Sequence, residues 1–159
     1  MDLSDWLLAL HLLAAASLVA ALVLFNVLIV ASWNLDVPSA VARTMGVARW
    51  GNILVTIGSL GVLLLGIWLA FQKDSYAIWD GWIIAAIVLW AIFGGAGARS
   101  GKLYTAAGVR AEELKAAGND APDPQLRAML QSRPALTLTI VSNVAVLLLL
   151  LDMIFKPGA

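Results

Sequence analysis

No cysteine occurs among the 159 residues. That excludes disulfides, thiolate zinc centres, iron–sulfur ligation and a cysteine nucleophile. Charge is scarce too: Asp, Glu, Lys and Arg make up 13% of the chain, against about 25% in a soluble domain. Ten basic and ten acidic residues cancel, so no basic field exists to attract nucleic acid. His11 is the single histidine, and no glutamate falls within an apolar stretch. A closed metal site therefore cannot be assembled from the usual ligands. No phosphate loop, Ser-His-Asp set or pair of carboxylates is embedded in the apolar segments. Gly94-Gly-Ala-Gly97 follows a long apolar run rather than a strand and is no nucleotide fingerprint.

What fills the chain is apolar: 62% hydrophobic residues and a mean hydropathy of +0.91. The first run, Trp6 to Trp33, has 28 residues without Asp, Glu, Lys or Arg. At about 1.5 Å per residue it is long enough to cross a hydrocarbon core of about 30 Å with some tilt. Met1-Asp-Leu-Ser-Asp5 lacks the basic region that opens a signal peptide, so the run reads as a retained span. Further runs give spans over about 50–71, 79–98 and 135–155. The expected fold is an all-α membrane protein, an antiparallel four-transmembrane-helix bundle forming a single integral membrane domain over residues 1–159.

Basic residues orient the bundle. Arg43 and Arg49 lie between spans one and two; Arg99, Lys102, Arg110, Lys115, Arg127 and Arg133 lie in the loop 99–134. Those eight fall on one side, against Lys73 and Lys156 on the other, which puts both long connections in the cytoplasm and both termini outside. Trp6, Trp68, Tyr76, Trp79 and Trp82 then mark the outer interface, Trp33 and Trp50 the inner one, and Trp90 lies deep.

Helix boundaries are legible beyond the spans. Asp36-Val-Pro38 reads as a cap and helix start, so the second helix runs from about Pro38 to Phe71. Leu103, Ala107, Ala111 and Leu114 recur at helical spacing, extending the third helix towards Ala117 with Gly118 ending it. Gly94, Gly95, Gly97 and Gly101 predict a kink or break near the membrane exit. Asp123-Pro124 caps a short helix carrying Leu126, Met129 and Leu130 on one face, and Arg133-Pro134 starts the last helix. Loop 99–134 is thus a short cytoplasmic helical cap between helices three and four. Gly51, Gly58, Gly61 and Gly66 on helix two, and Ala14, Ala15, Ser17 and Ala21 on helix one, supply faces for close packing.

Polar residues inside the spans carry whatever chemistry the chain has, because they are costly in lipid. An inner layer holds Asn26, Asn52 and Asn143, with Thr56 and Ser59 continuing the stripe from Asn52 and Ser142 beside Asn143. It reads either as a network of interhelical hydrogen bonds that fixes register or as a polar pocket. An outer layer holds His11, Asp152 and Lys156. It reads as a tie between helices one and four, or as a site at which His11 ligates haem, with Met153 as the nearest second ligand. Apart from Asp152 the spans lack charged pathway residues, which argues against a transporter or channel.

The order of these features resembles a known family. Trp6-Leu-Leu-Ala-Leu-His11, Gly66-Ile-Trp-Leu-Ala70, Trp79-Asp-Gly-Trp82 and the terminus Asp152-Met-Ile-Phe-Lys-Pro-Gly-Ala159 are similar to a family of bacterial four-helix integral membrane proteins known as a transmembrane domain of unknown function. That family is similar in outline to the copper-resistance D proteins and to the HemJ-type haem-dependent protoporphyrinogen oxidase. The resemblance implies the bacterial cytoplasmic membrane and haem b linked to His11. The chain departs from the oxidase pattern: Leu18 and Ala20 stand where Trp and Gly often follow that histidine, and Trp82-Ile-Ile-Ala85 has no lysine. The missing lysine argues against oxidase chemistry. Two functions follow. One is a non-enzymatic accessory, assembly or scaffold module whose partners are the lipid bilayer and another membrane protein or a second copy. The other is a haem-b-binding membrane protein using His11.

Overall fold

The computed structural model describes residues 2–72 and 79–157. Lys73 and Tyr76, counted above as outer-side residues, lie outside the described residues, as do the last two residues of the terminus. The described chain is helical: α1 Leu3–Ser32, α2 Pro38–Gln72, α3 Gly81–Ala116, α4 Pro124–Leu130 and α5 Arg133–Phe155. Four helices are long and apolar enough to cross a membrane: α1, α2, α3, and a fourth formed by α4 and α5 together. Their outer surfaces carry exposed Leu13, Ile57, Leu64 and Leu147, as lipid-facing helices require.

The helix ends follow local chemistry. Gly118 adopts φ +72°, and its N–H donates to the Lys115 carbonyl while that of Asn119 donates to Leu114. This left-handed stop ends α3 where glycine alone avoids strain. Asp123 caps α4, its carboxylate accepting from the N–H groups of Gln125 at 2.8 Å and Leu126 at 3.4 Å. Asp36 does not cap α2. The Val37 carbonyl accepts the first bonds, from Ala40 and Val41, and the Asp36 carboxylate instead lies 3.5 Å from Arg127. Nor do the glycines of α3 break it: the helix runs unbroken through Gly94, Gly95, Gly97 and Gly101. Two of them serve contact instead, since a Cβ on Gly97 would lie 3.1 Å from Ser142 Oγ and one on Gly101 3.7 Å from Asn52 Oδ1.

The most extensive packing joins α1 to α2 and α3 to α5, and α2 against α3 links the two pairs. Along the first seam Gly58 meets Leu18, Gly61 meets Ala14 and Gly66 meets His11, so small residues let the backbones approach. Midway, Leu18, Val62, Phe93, Ala145 and Val146 are buried together, one or more from each long helix. A second core gathers Ile29, Val41, Met45, Tyr104 and Ala107 around Leu126 and Leu130 of α4. Around that core, Asp120 accepts from the Ser39 N–H at 2.8 Å and hydroxyl at 2.9 Å. Arg110 pairs with Asp123 at 2.9 Å, and the Gln131 amide donates to the Trp33 carbonyl at 3.2 Å.

Candidate functional site

The long helices turn most of their polar side chains towards one another. Asn26 and Asn143 face each other across α1 and α5 and exchange amide hydrogen bonds of 3.2 and 3.0 Å. Asn26 also donates to the Leu22 carbonyl at 2.8 Å. Trp90 of α3 donates its indole N–H to the Ser59 hydroxyl at 2.9 Å. Ser142 donates to the Phe93 carbonyl at 3.2 Å, and the hydroxyls of Ser100 and Thr139 share a 2.6 Å hydrogen bond. Two of the three inner-layer asparagines are thus brought together. Asn52 stands apart: it is exposed, its side chain lies beside Gly101, and its backbone carbonyl accepts from Thr56 at 2.9 Å.

The outer layer is not assembled as the sequence suggests. The His11 imidazole lies edge-on to α2, its Cε1 3.0 Å from where a Gly66 Cβ would be. The Val62 backbone is a polar neighbour of the ring. No hydrogen bond or ion pair joins His11 to Asp152 among the described residues, and His11 Nδ1 and Asp152 Oδ2 are both buried without a partner. Lys156 closes α5 in a left-handed conformation, φ 41°, with its ammonium 5.5 Å from the centre of the Trp82 ring. His11 therefore chose α2, which a glycine opened to it, over α5.

Between the helices lie two cavities. One, of about 520 Å³, is walled by Leu22, Phe25, Val55, Trp90 and Phe93 and rimmed by Asn52, Thr105 and Lys102. The other, of about 750 Å³, runs from Asn52 and Thr105 past Arg49 to Glu112 and Glu113. Asn52, Gly101, Thr105 and Phe25 line both, so the two adjoin. Neither is lined by His11 or Met153. In this arrangement the His11 ring edge faces α2 rather than either of these cavities. Among the described residues no three His, Asp or Glu side chains group to hold a metal ion.

Outside the spanning helices, one titrating group is displaced. Burial alone would raise the Asp123 carboxyl, but the N–H groups of Gln125 and Leu126 and the Arg110 guanidinium together hold it below the usual carboxylate range. The Tyr104 hydroxyl is buried without a hydrogen-bond partner among the described residues.

Sequence reasoning missed the part α3 plays in the cleft and the Trp90–Ser59 and Ser100–Thr139 pairs; Asn52, Thr56, Ser59 and Ser142, which it offered as a polar pocket, line the first cavity. The signal was present: Gly94, Gly97, Gly101, Thr105 and Gly108 recur every three or four residues along α3, a small-residue stripe that leaves room beside α2. Comparison with protein families, curated proteins and solved structures finds no match to this chain.

Proposed function

We propose that this chain is a multi-pass protein of the bacterial cytoplasmic membrane, of the four-helix family its sequence resembles, acting as a non-enzymatic accessory, assembly or scaffold module. In this reading the long helices form an antiparallel bundle within one integral domain. Both termini lie outside, and α4 with its flanking turns caps the cytoplasmic end. The observation that carries it is how the intramembrane polar groups are used. Asn26, Asn143, Trp90, Ser59, Ser100, Thr139 and Ser142 are engaged with one another or with backbone. They fix the register of helices that lipid gives little reason to associate. A scaffold needs such a fixed shape and an apolar face for its neighbour, which exposed Leu64 on α2 and Leu147 on α5 provide.

The test is photo-crosslinking in intact cells from a photoreactive residue at Leu64 or Leu147. The proposal expects a discrete adduct with one polypeptide, either another membrane protein or a second copy. Adducts with lipid alone from both positions would count against it.

A further inference from the structure

The cleft between α2 and α3 is built like an amphiphile. Its exposed lining residues all lie on those two helices: Asn52, Thr56 and Leu60 on α2, Ala98, Lys102 and Thr105 on α3. The mouth therefore opens sideways, between α2 and α3, while α1 and α5 close the back with half-buried Leu22 and Phe25 and buried Thr139 and Ser142. The polar groups divide by depth. Deep in the cavity, the hydroxyls of Ser59, Ser100, Thr139 and Ser142 are already engaged within the protein, and Leu22, Val55, Trp90 and Phe93 supply the rest of an apolar floor. At the mouth, the Asn52 amide, the Thr105 hydroxyl, Lys102 and Arg49 have no hydrogen-bond or ion-pair partner among the described residues. Charge is divided too. Lys102 and Arg49 stand at the Asn52 level of the cleft, whereas Glu112 and Glu113 lie further along α3, about 10 Å beyond Thr105 at 1.5 Å per residue. Glu112 is already within 3.6 Å of Lys115.

We infer that this cleft is a binding site for one anionic glycerophospholipid, entering laterally from the membrane. Lys102 and Arg49 take the phosphate, Asn52 and Thr105 donate to the ester and glycerol oxygens, and an acyl chain fills the apolar floor towards Trp90. Unpaired donors at the mouth of a cavity with an apolar floor suit a molecule with a charged head and an apolar tail. Basic pockets between helices on the cytoplasmic side recognise such headgroups. A neutral solute would leave both cations unused, and a free phosphate would leave the floor empty. Exposed Trp50, next to Arg49, marks the interfacial level at which a headgroup sits. The inference rests on the membrane-spanning reading above, whose own test is the side from which engineered cysteines are labelled.

The experiment uses the full chain in mild detergent, stripped of lipid, with binding of dioctanoyl phosphatidylglycerol followed by thermal shift and by native mass spectrometry. Dioctanoyl phosphatidylcholine and glycerol phosphate are run beside it. The expected result is that phosphatidylglycerol binds about tenfold tighter than phosphatidylcholine and that glycerol phosphate does not bind. Arg49→Gln with Lys102→Gln removes the preference. Arg99→Gln, a basic residue outside the cleft, leaves it. Gly94→Leu, where a new Cβ would meet nothing within 4 Å, weakens both lipids by filling the floor. Equal binding of the two lipids, an undiminished preference in the double variant, or the same loss from Arg99→Gln would overturn the proposal. Glycerol phosphate binding as tightly as the lipid would show a free-phosphate site instead.

Discussion

Asn26 of α1 and Asn143 of α5 hold each other by two amide hydrogen bonds, 3.2 and 3.0 Å long. Each supplies the donor and the acceptor that the other needs, so the pair is self-contained. Replacing either one by leucine strands a single amide among apolar helices. Interhelical hydrogen bonds in membranes contribute about 0.6–2 kcal/mol, so Asn26→Leu and Asn143→Leu should each destabilise the protein by about that much. The double variant should cost clearly less than the sum, because no orphan remains. Unfolding curves in mixed micelles measure the cycle, and strict additivity would mean the two amides do not act as a pair.

Glycines on α2 should differ in what they tolerate. A Cβ at Gly58 would lie 3.2 Å from the Leu18 backbone, and one at Gly66 3.0 Å from the end of the His11 ring. A backbone cannot yield without moving a helix, whereas an imidazole can rotate. Alanine also gains about 1 kcal/mol of helix propensity over glycine. Gly58→Ala is therefore expected to destabilise, and Gly66→Ala to be close to neutral. Gly66→Leu should destabilise and be partly rescued by His11→Ala. Thermal melts of the four variants check this ordering.

Much of the architecture was legible because it is local. Gly118 and the Asp123-Pro124 pair announced the helix ends found there, and the apolar runs announced helices long enough to cross a membrane. What the sequence hid was facing. In a water-soluble helix the polar side shows which way it turns, but here exposed Leu64 and buried Leu18 are equally apolar. His11 could thus be placed at a depth but not on a face, and a glycine on α2 decided its neighbour. Asn26 and Asn143 were paired by depth, whereas Asn52, grouped with them, looks into the cleft instead.

Haem gives a separate check on His11. The packing of its ring edge on Gly66 predicts that protein purified after haem supplementation shows no Soret band, with His11→Ala giving the same spectrum. A band present in the native chain and lost in that variant would show that His11 leaves α2 to bind haem.

Docking of α4 should depend on pH through Asp123. Its carboxyl is held below its ordinary value of 3.8 in the folded protein. The charged carboxylate therefore stabilises the cap fully above the unfolded value, and that contribution is lost as pH falls through the lower folded value. A fluorescent label on a cysteine replacing exposed Ala128 should report α4 loosening only in acid. Asp123→Asn, which keeps a capping side chain but no charge, should loosen the link to Arg110 at neutral pH and flatten the acid dependence.

In the proposed topology four helices cross the membrane with both termini outside and the α4 cap inside. Because the chain has no cysteine, single cysteines can be placed without background at Asp2, Asn34, Trp79 and Ala117, and spheroplasts treated with a membrane-impermeant maleimide. This topology requires labelling at positions 2 and 79 in intact spheroplasts, and at 34 and 117 only after permeabilisation. Labelling of Ala117→Cys from outside, or of all four positions from the same side, would contradict it.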